Sequence, residues 1–587
     1  MEKKFLATTP DTRTWPQGKE IYFLSNNYLK YEEMKLDQAY KAVHFLHYTN
    51  SERLIEINQR EINRINNDFF PKLVELLNKF HNSSFSTKFW KILIGPWFQY
   101  QLIRLVSQKN DIDNAIKYNE IDSAIFLKLD NTNLIPRDFN DNWKLHRRSS
   151  YLSHIDMMLT SSLKNTELKI KEIDTAHFPV IDESEEMRKK VNFEIKKLPV
   201  RVLNLISNHL VLNKNAYISS TYLPISKEIK LQLSFAQFPI MWRNYLEYEE
   251  MNKPDLMLRI NNSKYLDEKF GLDIIEKLLV ELIPVCYLEG FSELRKSVEN
   301  SNLPKNPKFI FTSNDFNAFE KFKMYAALNA EIRSNYFIGQ HGNNYGTFNA
   351  YLPLIEEQTP NKFITWGWKS HSNTHVSGFN LKNVGRKFTS NPEGGLLSVQ
   401  YPLQINPMEI NPFFNSELYL RDQFKFINEL NPKIQKSLTV RLSSTTEGSL
   451  DNEKRKFMDS NPDINVDQGM GNYLNALSKN RLAVFSYDST GLLENLSANS
   501  PTLAFWQFGL NHVNDDARAF YELLKDCGII FFDPISAAQK INSIWDDVSS
   551  WWNSTDIQKA RISFCNCYSR KSRRPVRDLR RIIRENI

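Results

Sequence analysis

The stretch RLAVFSYDSTGLLENLSANSPTLAFW, residues 481–506, decides the fold of this chain. Its apolar run at 482–487 predicts a strand, and the polar residues DSTG at 488–491 predict a tight turn that leads into a helix. The apolar run at 501–506 predicts the next strand. A strand, a turn, a helix and a second strand in this order indicate an α/β protein.

The turn at the start of this helix has the features of a phosphate site. Ser489 and Thr490 offer two hydroxyls, and Gly491 lies where the unpaired N–H groups and the positive dipole end of the helix are expected. Glu494, one turn further along, can accept hydrogen bonds from a ribose diol. These residues predict a nucleotide site. The alternative is that Ser489 is only a helix N-cap and Glu494 a solvated helix residue.

Length and composition limit the kind of protein that carries this site. The chain has 587 residues, of which 41% are hydrophobic and 13% aromatic, so it can form more than one globular domain. It has no run of about 18 apolar residues, and residues 1–16 lack the apolar region of a signal peptide. We therefore expect a soluble, cytoplasmic protein. Four cysteines are too few for a disulfide framework, and we expect them to be reduced.

The N-terminal part predicts the start of a sheet followed by helices. Runs at 5–9 and 20–24 are strand-like, and we expect residues from about 31 to 300 to form a large helical insertion. The segment 88–105 is apolar almost all round and contains a Gly-Pro pair. It predicts a buried helix that is kinked or split at that pair.

A βαβ unit is predicted from residue 308 onward. Its strands are KFIFT at 308–312 and NYFIG at 335–339, with a helix at 317–330 between them. The second strand ends in QHGNNYG at 340–346, whose glycines and asparagines allow a backbone with positive φ. This loop places a histidine at the carboxyl end of a strand, where open α/β sheets bind ligands.

His341 is the candidate catalytic residue of that loop. A histidine titrates near neutral pH, so it can neutralise or protonate a departing phosphate. A lone histidine is also common as an ordinary core or surface residue, and its glycine-rich surroundings are what favour the catalytic role. The loop residues that support this site are Gln340, Gly342, Asn343 and Gly346.

A domain boundary is predicted near residue 390, where Asn-Pro precedes a fresh strand at 394–399. Strand and helix patterns then alternate to about residue 550. Arg441 lies at the end of one of these strands, where it either pairs with a phosphate or forms an ordinary ion pair. The predicted domains are 1–389 with its helical insertion, 390–550, and a basic helical tail at 551–587.

The C-terminal tail is strongly basic. Residues 569–587 carry seven arginines and one lysine against two acidic residues. The arginines recur at three- and four-residue spacing with apolar residues between them, which is typical of a basic amphipathic helix. Such a helix either lies on an anionic membrane surface or packs its apolar face on the first domain. Because no aromatic residues are interleaved with the arginines, nucleic-acid binding is not expected.

A set of motifs, taken together, carries a family resemblance. They are FLATTPDTRTWP from residue 5, EIYFLSNNYLKYE from 20, WKILIGPWF from 90, GQHGNNYG from 339, KFITWGW from 362, VRLSS from 440, VFSYDSTGLLENLSANSPTLAFWQ from 484 and DCGIIFFDPISAA from 526. In this order they resemble the transferase family encoded in bacterial O-antigen and surface-polysaccharide clusters. The loop SNNY at 25–28 departs from the Gly-Glu-Trp-Cys that is usual in that family.

The resemblance implies a GT-B-like fold, with two Rossmann-like domains that face a cleft, and glycosyltransferase activity. The family is similar to enzymes that move acidic sugars of the Kdo, sialic, legionaminic or pseudaminic type from CMP donors to glycan or lipid-linked glycan acceptors. It implies that His341 faces the phosphate, that Ser489 and Thr490 hold the CMP phosphate and that Glu494 binds the ribose. Such acceptors are commonly built at the inner face of the cytoplasmic membrane, where the basic tail would hold the enzyme.

Three further expectations complete the sequence analysis. No Asp-x-Asp motif is placed at a strand end, so we expect no metal and no other cofactor. Asp11 is the sole carboxylate in the first threonine-rich loop, and it is either the base or nucleophile or a turn-forming residue after Pro10. The alternatives to a CMP-sugar enzyme are a CDP-glycerol-type or other nucleotide-linked transferase and, outside enzymes, a nucleic-acid-binding protein.

Overall fold

The computed structural model divides the chain into two compact units. The first comprises Met1–Ser220, Ala236–Tyr336 and Tyr351–Asn361, and the second comprises Thr221–Phe235, Phe337–Ala350 and Lys362–Ile587. The structure describes residues 4–24, 42–46, 52–163, 168–175, 215–237, 239–242, 246–249, 252–403, 416–443 and 450–587. The SNNY loop and much of the predicted insertion's beginning lie outside these residues.

The first unit contains a five-stranded parallel sheet in the order β3-β2-β1-β4-β5. Its strands are β1 Lys4–Ala7, β2 Glu20–Phe23, β3 Ala42–Phe45, β4 Ser123–Lys128 and β5 Lys169–Asp174. Strand order reverses between β1 and β4, so the loops after these two strands leave the sheet edge in opposite directions and open a crevice. Two further strands, β6 Ala216–Ser219 and β7 Phe309–Thr312, pair in parallel.

Helices make up most of the remainder of the first unit. The α-helices are Glu52–Asp68, Phe70–Phe80, Thr87–Asn119, Phe139–Leu145, Ser149–Ser161, Leu256–Phe270, Ile274–Glu281, Phe291–Glu299, Asp315–Ala318, Glu320–Glu331 and Ile355–Gln358, with short 3₁₀ turns at Thr12–Thr14, Asn131–Leu134 and Val285–Tyr287. The region predicted as a helical insertion also contains strands. The sequence analysis missed them because short apolar runs such as Ser123–Lys128 follow polar loops.

The helix Thr87–Asn119 is buried as predicted, and it runs through its Gly-Pro pair without a split. Pro96 removes one backbone hydrogen bond, but burial on all sides keeps the segment helical. Gly95 has a packing role here, because a Cβ at this position would lie 2.6 Å from the side chain of Ile355. The glycine therefore permits close contact inside the first unit and does not break the helix.

The second unit is built on parallel strands as well. Strand β8 Asn335–Gly339, which begins in the first unit, pairs with β9 Lys362–Thr365, and β9 pairs with β10 His375–Ser377. A six-stranded sheet has the order β13-β12-β11-β14-β15-β16. Its strands are β11 Gly395–Val399, β12 Leu438–Arg441, β13 Asn465–Asp467, β14 Asn480–Phe485, β15 Thr502–Phe505 and β16 Ile530–Phe531.

Helices cover this sheet and enclose an apolar core. They are Ile225–Ser234, Ser416–Glu429, Pro432–Gln435, Leu450–Ser460, Tyr473–Leu477, Thr490–Ala498, Asp515–Asp526, Pro534–Ile544, Val548–Trp552, Thr555–Tyr568 and Pro575–Arg584, with a 3₁₀ turn at Trp545–Asp547. Leu396, Val440, Val484 and Leu503, one from each of the four central strands, are fully buried in that core. The predicted α/β class with parallel sheets is confirmed.

The two compact units do not coincide with the predicted division at residue 390. Residues 362–389 belong with the C-terminal sheet, and the basic tail is part of the same unit. Backbone hydrogen bonds explain this grouping: Arg570 N donates to Trp366 O at 2.7 Å, and Asn380 N donates to Arg570 O at 2.8 Å. These bonds connect segments that are far apart in sequence.

The tail forms the helix Pro575–Arg584, which packs on the helix Ile225–Ser234 of the same unit. Its apolar residues Leu579, Ile582 and Ile583 are buried there, while most of its arginines are exposed. The apolar face is therefore used inside the protein. Among the helices that the structure describes, none is both long and apolar enough to cross a membrane.

Replacing Leu579 by Ala should lower the free energy of unfolding by about 2–5 kcal/mol, because it leaves a cavity under the terminal helix. Urea denaturation measures this change. Arg577→Ala, at an exposed position on the same helix, is the control and should shift stability by no more than about 0.5 kcal/mol. Equal midpoints for the two variants would contradict the packed position of the tail.

Candidate functional site

A cavity of about 540 Å³ opens in the second unit at the carboxyl ends of β11 and β14. The order of the sheet reverses between these strands, and ligands of open α/β sheets bind at such reversal points. We call it the helix-start cavity. Its lining residues are Tyr222, Lys382, Arg386, Val399, Tyr473, Phe485, Tyr487, Ser489, Thr490, Gly491 and Glu494. Four of the predicted nucleotide-binding residues therefore share one cavity.

The helix Thr490–Ala498 begins at the wall of this cavity. Ser489 is its N-cap, and its hydroxyl oxygen accepts a hydrogen bond from Leu492 N at 3.1 Å. That bond uses an acceptor lone pair, so the hydroxyl can still donate to an anion. Packing requires a glycine at position 491, because a Cβ there would lie 2.6 Å from the Phe485 ring. The capping role and the phosphate role of Ser489 are thus compatible.

The histidine loop at 340–346 meets this helix start. Asn343 N donates to Thr490 Oγ1 at 3.0 Å. A Cβ on Gly342 would also lie 3.0 Å from Thr490 Oγ1, so a larger residue would press on this contact. Gly346 has a φ of +69°, and a Cβ there would overlap the Trp368 ring. The structure thus brings together the two motifs that the sequence predicted separately.

The Asp488 carboxylate anchors the same loop by a hydrogen bond, a role that the sequence analysis missed. Its Oδ1 accepts from Asn343 Nδ2 at 2.8 Å. Its Oδ2 accepts from Tyr521 OH at 2.7 Å and lies 3.1 Å from His512 Nε2. All four side chains are buried. The signal was present in the sequence as an acid directly before the Ser-Thr turn.

His341 is partly buried beside Tyr345, whose hydroxyl lies 2.8 Å from His341 Nδ1. Burial, and secondarily the charge of Lys382, lowers the pKa of His341 to about 4. The imidazole is therefore neutral at pH 7 in the unliganded protein. It is not among the residues that line the helix-start cavity.

Gln340 has a structural role in this loop. Its Oε1 accepts from Trp366 N at 2.7 Å and from Trp368 Nε1 at 2.9 Å, while its Nε2 donates to Gly342 O at 2.8 Å. The side chain is buried. These bonds fix the start of the loop relative to the end of β9.

Glu494 is buried and takes part in ion pairs inside the cavity. Arg386 donates to its Oε2, and Lys382 Nζ lies 3.5 Å from its Oε1. Its backbone oxygen accepts from Asn383 Nδ2 at 2.7 Å, which binds the loop carrying both cations to the helix. Glu494 is therefore not a solvated helix residue. Lys382 and Arg386 were missed because they lie in a loop without regular periodicity.

Two further candidates, Arg441 and Asp11, also do not line the helix-start cavity. Arg441 pairs with Asp467 and donates from Nη2 to Gly469 O at 3.2 Å, so its guanidinium holds the loop after β13. Asp11 lies in the first unit, where it caps the turn Thr12–Thr14 and its Oδ2 lies 2.7 Å from Arg13 Nη2. Both arrangements match the structural alternatives considered for these residues.

Within the residues that the structure describes, no group of histidine, cysteine, aspartate and glutamate side chains could hold a metal ion. Among the described residues that line the helix-start cavity, the charged groups are one carboxylate and two cations, which leaves an excess of positive charge. The helix start adds a further partial positive charge. Fold and cavity together define an α/β protein with a site suited to an anionic ligand.

The sequence comparison then gives the family. The family model described as "LIC12162 family transferase" matches residues 4–583, and the chain belongs to this family. A comparison with curated proteins finds no match.

Solved structures with similarity to the chain include the following three proteins. The wall teichoic acid polymerase TagF with CDPG is 10% identical, covers 50% of this chain and 83% of its own, and has a TM-score of 0.30. HepE of Anabaena in complex with UDP-glucose is 8% identical, covers 63% and 98%, and has a TM-score of 0.34. Spinosyn rhamnosyltransferase SpnG is 12% identical, covers 50% and 80%, and has a TM-score of 0.28.

Replacing Asp488 by Ala should destabilise the second unit strongly. Each buried group that loses its partner costs about 1–3 kcal/mol, and Asn343, His512 and Tyr521 all lose one. Chemical denaturation measures the change. Asp463→Ala, at an exposed position, serves as the control. Equal stability of the two variants would refute the anchoring role of Asp488.

Proposed function

We propose that this transferase is a glycosyltransferase of the GT-B type that uses a CMP-activated acidic sugar. The donor sugar would be Kdo or a nonulosonic acid of the sialic, legionaminic or pseudaminic type. The acceptor would be a growing surface polysaccharide or O-antigen, free or lipid-linked. The observation that carries the proposal is the placement of two cations, Lys382 and Arg386, in the same cavity as a phosphate-type helix start.

The charges of a CMP-sugar fit this placement. Such a donor has one phosphate and, on an acidic sugar, one carboxylate. The N-terminus of the helix Thr490–Ala498 suits the phosphate, because its N–H groups and dipole favour an anion. Glu494 offsets only one of the two neighbouring cations, so the excess charge is available to the carboxylate.

The leaving group is the second argument. When the glycosidic bond to CMP breaks, negative charge grows on the phosphate oxygen. The helix start, the Ser489 and Thr490 hydroxyls and the cation pair are fixed before the reaction, so they can stabilise that charge without rearrangement. We infer that His341 assists as a neutral imidazole. A bound phosphate beside it would raise its pKa and favour uptake of a proton.

A second candidate is a transferase with a nucleoside diphosphate donor of the CDP-glycerol type. The same cation pair favours it, because Lys382 and Arg386 could neutralise a second phosphate in place of a sugar carboxylate. The two candidates differ in what the cations contact. That difference can be measured.

We also propose a peripheral contact with anionic membranes. The apolar face of the tail helix is buried, but Arg573, Arg574, Arg577, Arg581 and Arg584 are exposed. Each basic side chain near an anionic surface contributes about 1 kcal/mol at low salt. The contact would therefore be electrostatic, without insertion of the helix.

Replacing both Lys382 and Arg386 by Met should weaken binding of CMP-N-acetylneuraminic acid more than binding of CMP. Loss of charge-assisted hydrogen bonds to the carboxylate corresponds to about a tenfold to hundredfold loss of affinity for the sugar nucleotide. Calorimetry with both ligands gives the ratio, and Lys387→Met, an exposed neighbour, is the control.

The contrary outcome is also defined. If affinity for both CMP ligands falls by the same factor, and CDP stabilises the wild type against heat more than CMP does, the cations contact a second phosphate. That result would favour the diphosphate donor. A ligand at 100 times its dissociation constant adds about 2.7 kcal/mol to stability, so thermal shifts are large enough to rank CMP, CDP and UDP.

His341→Ala should reduce turnover by about 10²–10⁴-fold with much less effect on nucleotide affinity. Because the pKa of His341 is lowered to about 4, its neutral form predominates above that pH and is lost as pH falls through about 4. The wild-type profile of kcat/KM should therefore show an acid limb near pH 4, absent from the variant. CMP release from the donor gives both quantities.

His371→Ala, at an exposed position in the same unit, is the control and should leave turnover unchanged. Near-normal turnover of His341→Ala would assign the histidine a purely structural role.

A further inference from the structure

The loop between β6 and the helix Ile225–Ser234 holds an aromatic residue in an unusual backbone conformation. The segment SSTYLP at 219–224 contains no glycine, yet Tyr222 has a φ of +61°, in the left-handed region that favours glycine. Among the described residues, no other aromatic residue has a positive φ. A bulky residue in this region is strained, and such strain persists only where the surrounding structure holds it in place.

The residues next to Tyr222 keep it in this conformation. Thr221 is fully buried, and its Oγ1 donates to Glu228 Oε2 at 2.6 Å. Pro224 packs on Gly385, where a Cβ would lie 2.8 Å from Pro224 Cγ. The loop is therefore fixed on both sides of the strained residue before any ligand binds.

The side chain of Tyr222 lines the helix-start cavity and is half-buried. Lys382 Nζ lies 5.1 Å from the centre of its ring, a distance at which an ammonium group and an aromatic ring attract each other. The strained backbone thus places an aromatic surface and a cation side by side in the cavity. Strain of this kind is concentrated at ligand sites, where it positions a side chain in advance.

Lys382 identifies the part of the cavity in which Tyr222 lies. Burial, and secondarily the charge of Lys382, lowers the pKa of His341, so the lysine is close to the histidine. In the proposed reaction His341 assists the leaving phosphate, and the transferred group is bonded to that phosphate. The Tyr222 ring therefore lies at the end of the cavity where the transferred group is expected.

An aromatic wall beside a cation favours one kind of transferred group. The ammonium of Lys382 suits a carboxylate. A tyrosine ring offers a rigid apolar face, which packs on the C–H face of a cyclic sugar. A short acyclic polyol presents less flat apolar surface and loses more conformational freedom when it is bound. A cyclic sugar with a carboxylate matches both groups.

We propose that Tyr222 is a specificity-determining residue of the donor site, whose ring packs against the transferred sugar and selects a cyclic sugar carboxylate over an acyclic group. This inference rests on the proposed function. It also narrows that function, because of the two candidate donors only the CMP-activated acidic sugar carries such a group. The ring holds the Lys382 ammonium beside the sugar face, where the carboxylate meets it.

Tyr222→Gly is the decisive variant, because glycine suits the left-handed backbone and removes the ring. Relief of the strain offsets part of the lost packing, so the melting temperature should stay within about 4 °C of the wild type. Affinity for CMP-N-acetylneuraminic acid should fall about tenfold, since the sugar loses its apolar wall. Affinity for CMP should stay unchanged. Loss of the sugar contribution alone separates a specificity role from a structural one.

Three further variants complete the series. Tyr222→Phe keeps the ring and should keep the wild-type affinity for both ligands. Arg333→Gly makes the same backbone change at an exposed residue with a φ of +63°, and it should leave both affinities unchanged. Tyr222→Asn replaces Tyr222→Gly if the glycine variant does not fold, because asparagine also adopts the left-handed conformation and lacks the ring.

Isothermal titration calorimetry on the full chain without acceptor gives the dissociation constants of four ligands. They are CMP, CMP-N-acetylneuraminic acid, CDP and CDP-glycerol. In the wild type the sugar should strengthen binding relative to CMP. Tyr222→Gly should lower this sugar contribution about tenfold and leave the difference between CDP-glycerol and CDP unchanged, because the acyclic group does not use the wall.

Three results would overturn the inference and leave the donor proposal standing. One is an unchanged sugar contribution in Tyr222→Gly. Another is an equal loss of affinity for CMP and its sugar conjugate, which would mean that the ring contacts the nucleotide. The third is a parallel loss for CDP-glycerol relative to CDP, which would mean that the ring does not select cyclic sugars. A wild type that binds no CMP ligand would instead refute the donor proposal, and this inference with it.

Discussion

The buried carboxylate of Asp488 is the constraint on which the helix-start cavity depends. A buried carboxylate needs several hydrogen-bond donors, and Asp488 has Asn343, Tyr521 and His512 as partners. One of these partners belongs to the histidine loop. The loop is therefore held close to the helix start, where Asn343 N can also reach Thr490. The hydrogen bonds that satisfy the Asp488 carboxylate therefore also fix the position of the histidine loop beside the cavity.

The charges that line this cavity favour an anionic ligand. Glu494 keeps Lys382 and Arg386 in place when no ligand is bound, because a buried carboxylate with two cations is less costly than one without them. An entering anion can share the cations with Glu494 and need not displace it. Burial, and secondarily the charge of Lys382, lowers the pKa of His341, so the imidazole does not add a third positive charge there.

Local patterns carried most of the fold and the part of the site that depends on a single turn. The strands at 335–339 and 395–399 and the Ser489 cap were predictable because apolar runs and capping residues act over a few positions. Side-chain pairs between residues far apart in the sequence were not predictable. Arg386 meets Glu494 across 108 residues of sequence.

Both units use the same sheet construction, but they equip its crevice differently. In the second unit the loops at the reversal point supply a helix N-terminus and an excess of positive charge. In the first unit, the described residues near the corresponding reversal point include Thr8, Gln108 and Arg104 around the Asp156 carboxyl. A transferase must recognise two chemically different substrates. The proposed charged donor matches the first kind of surface, because a helix N-terminus and an excess of positive charge both favour an anion.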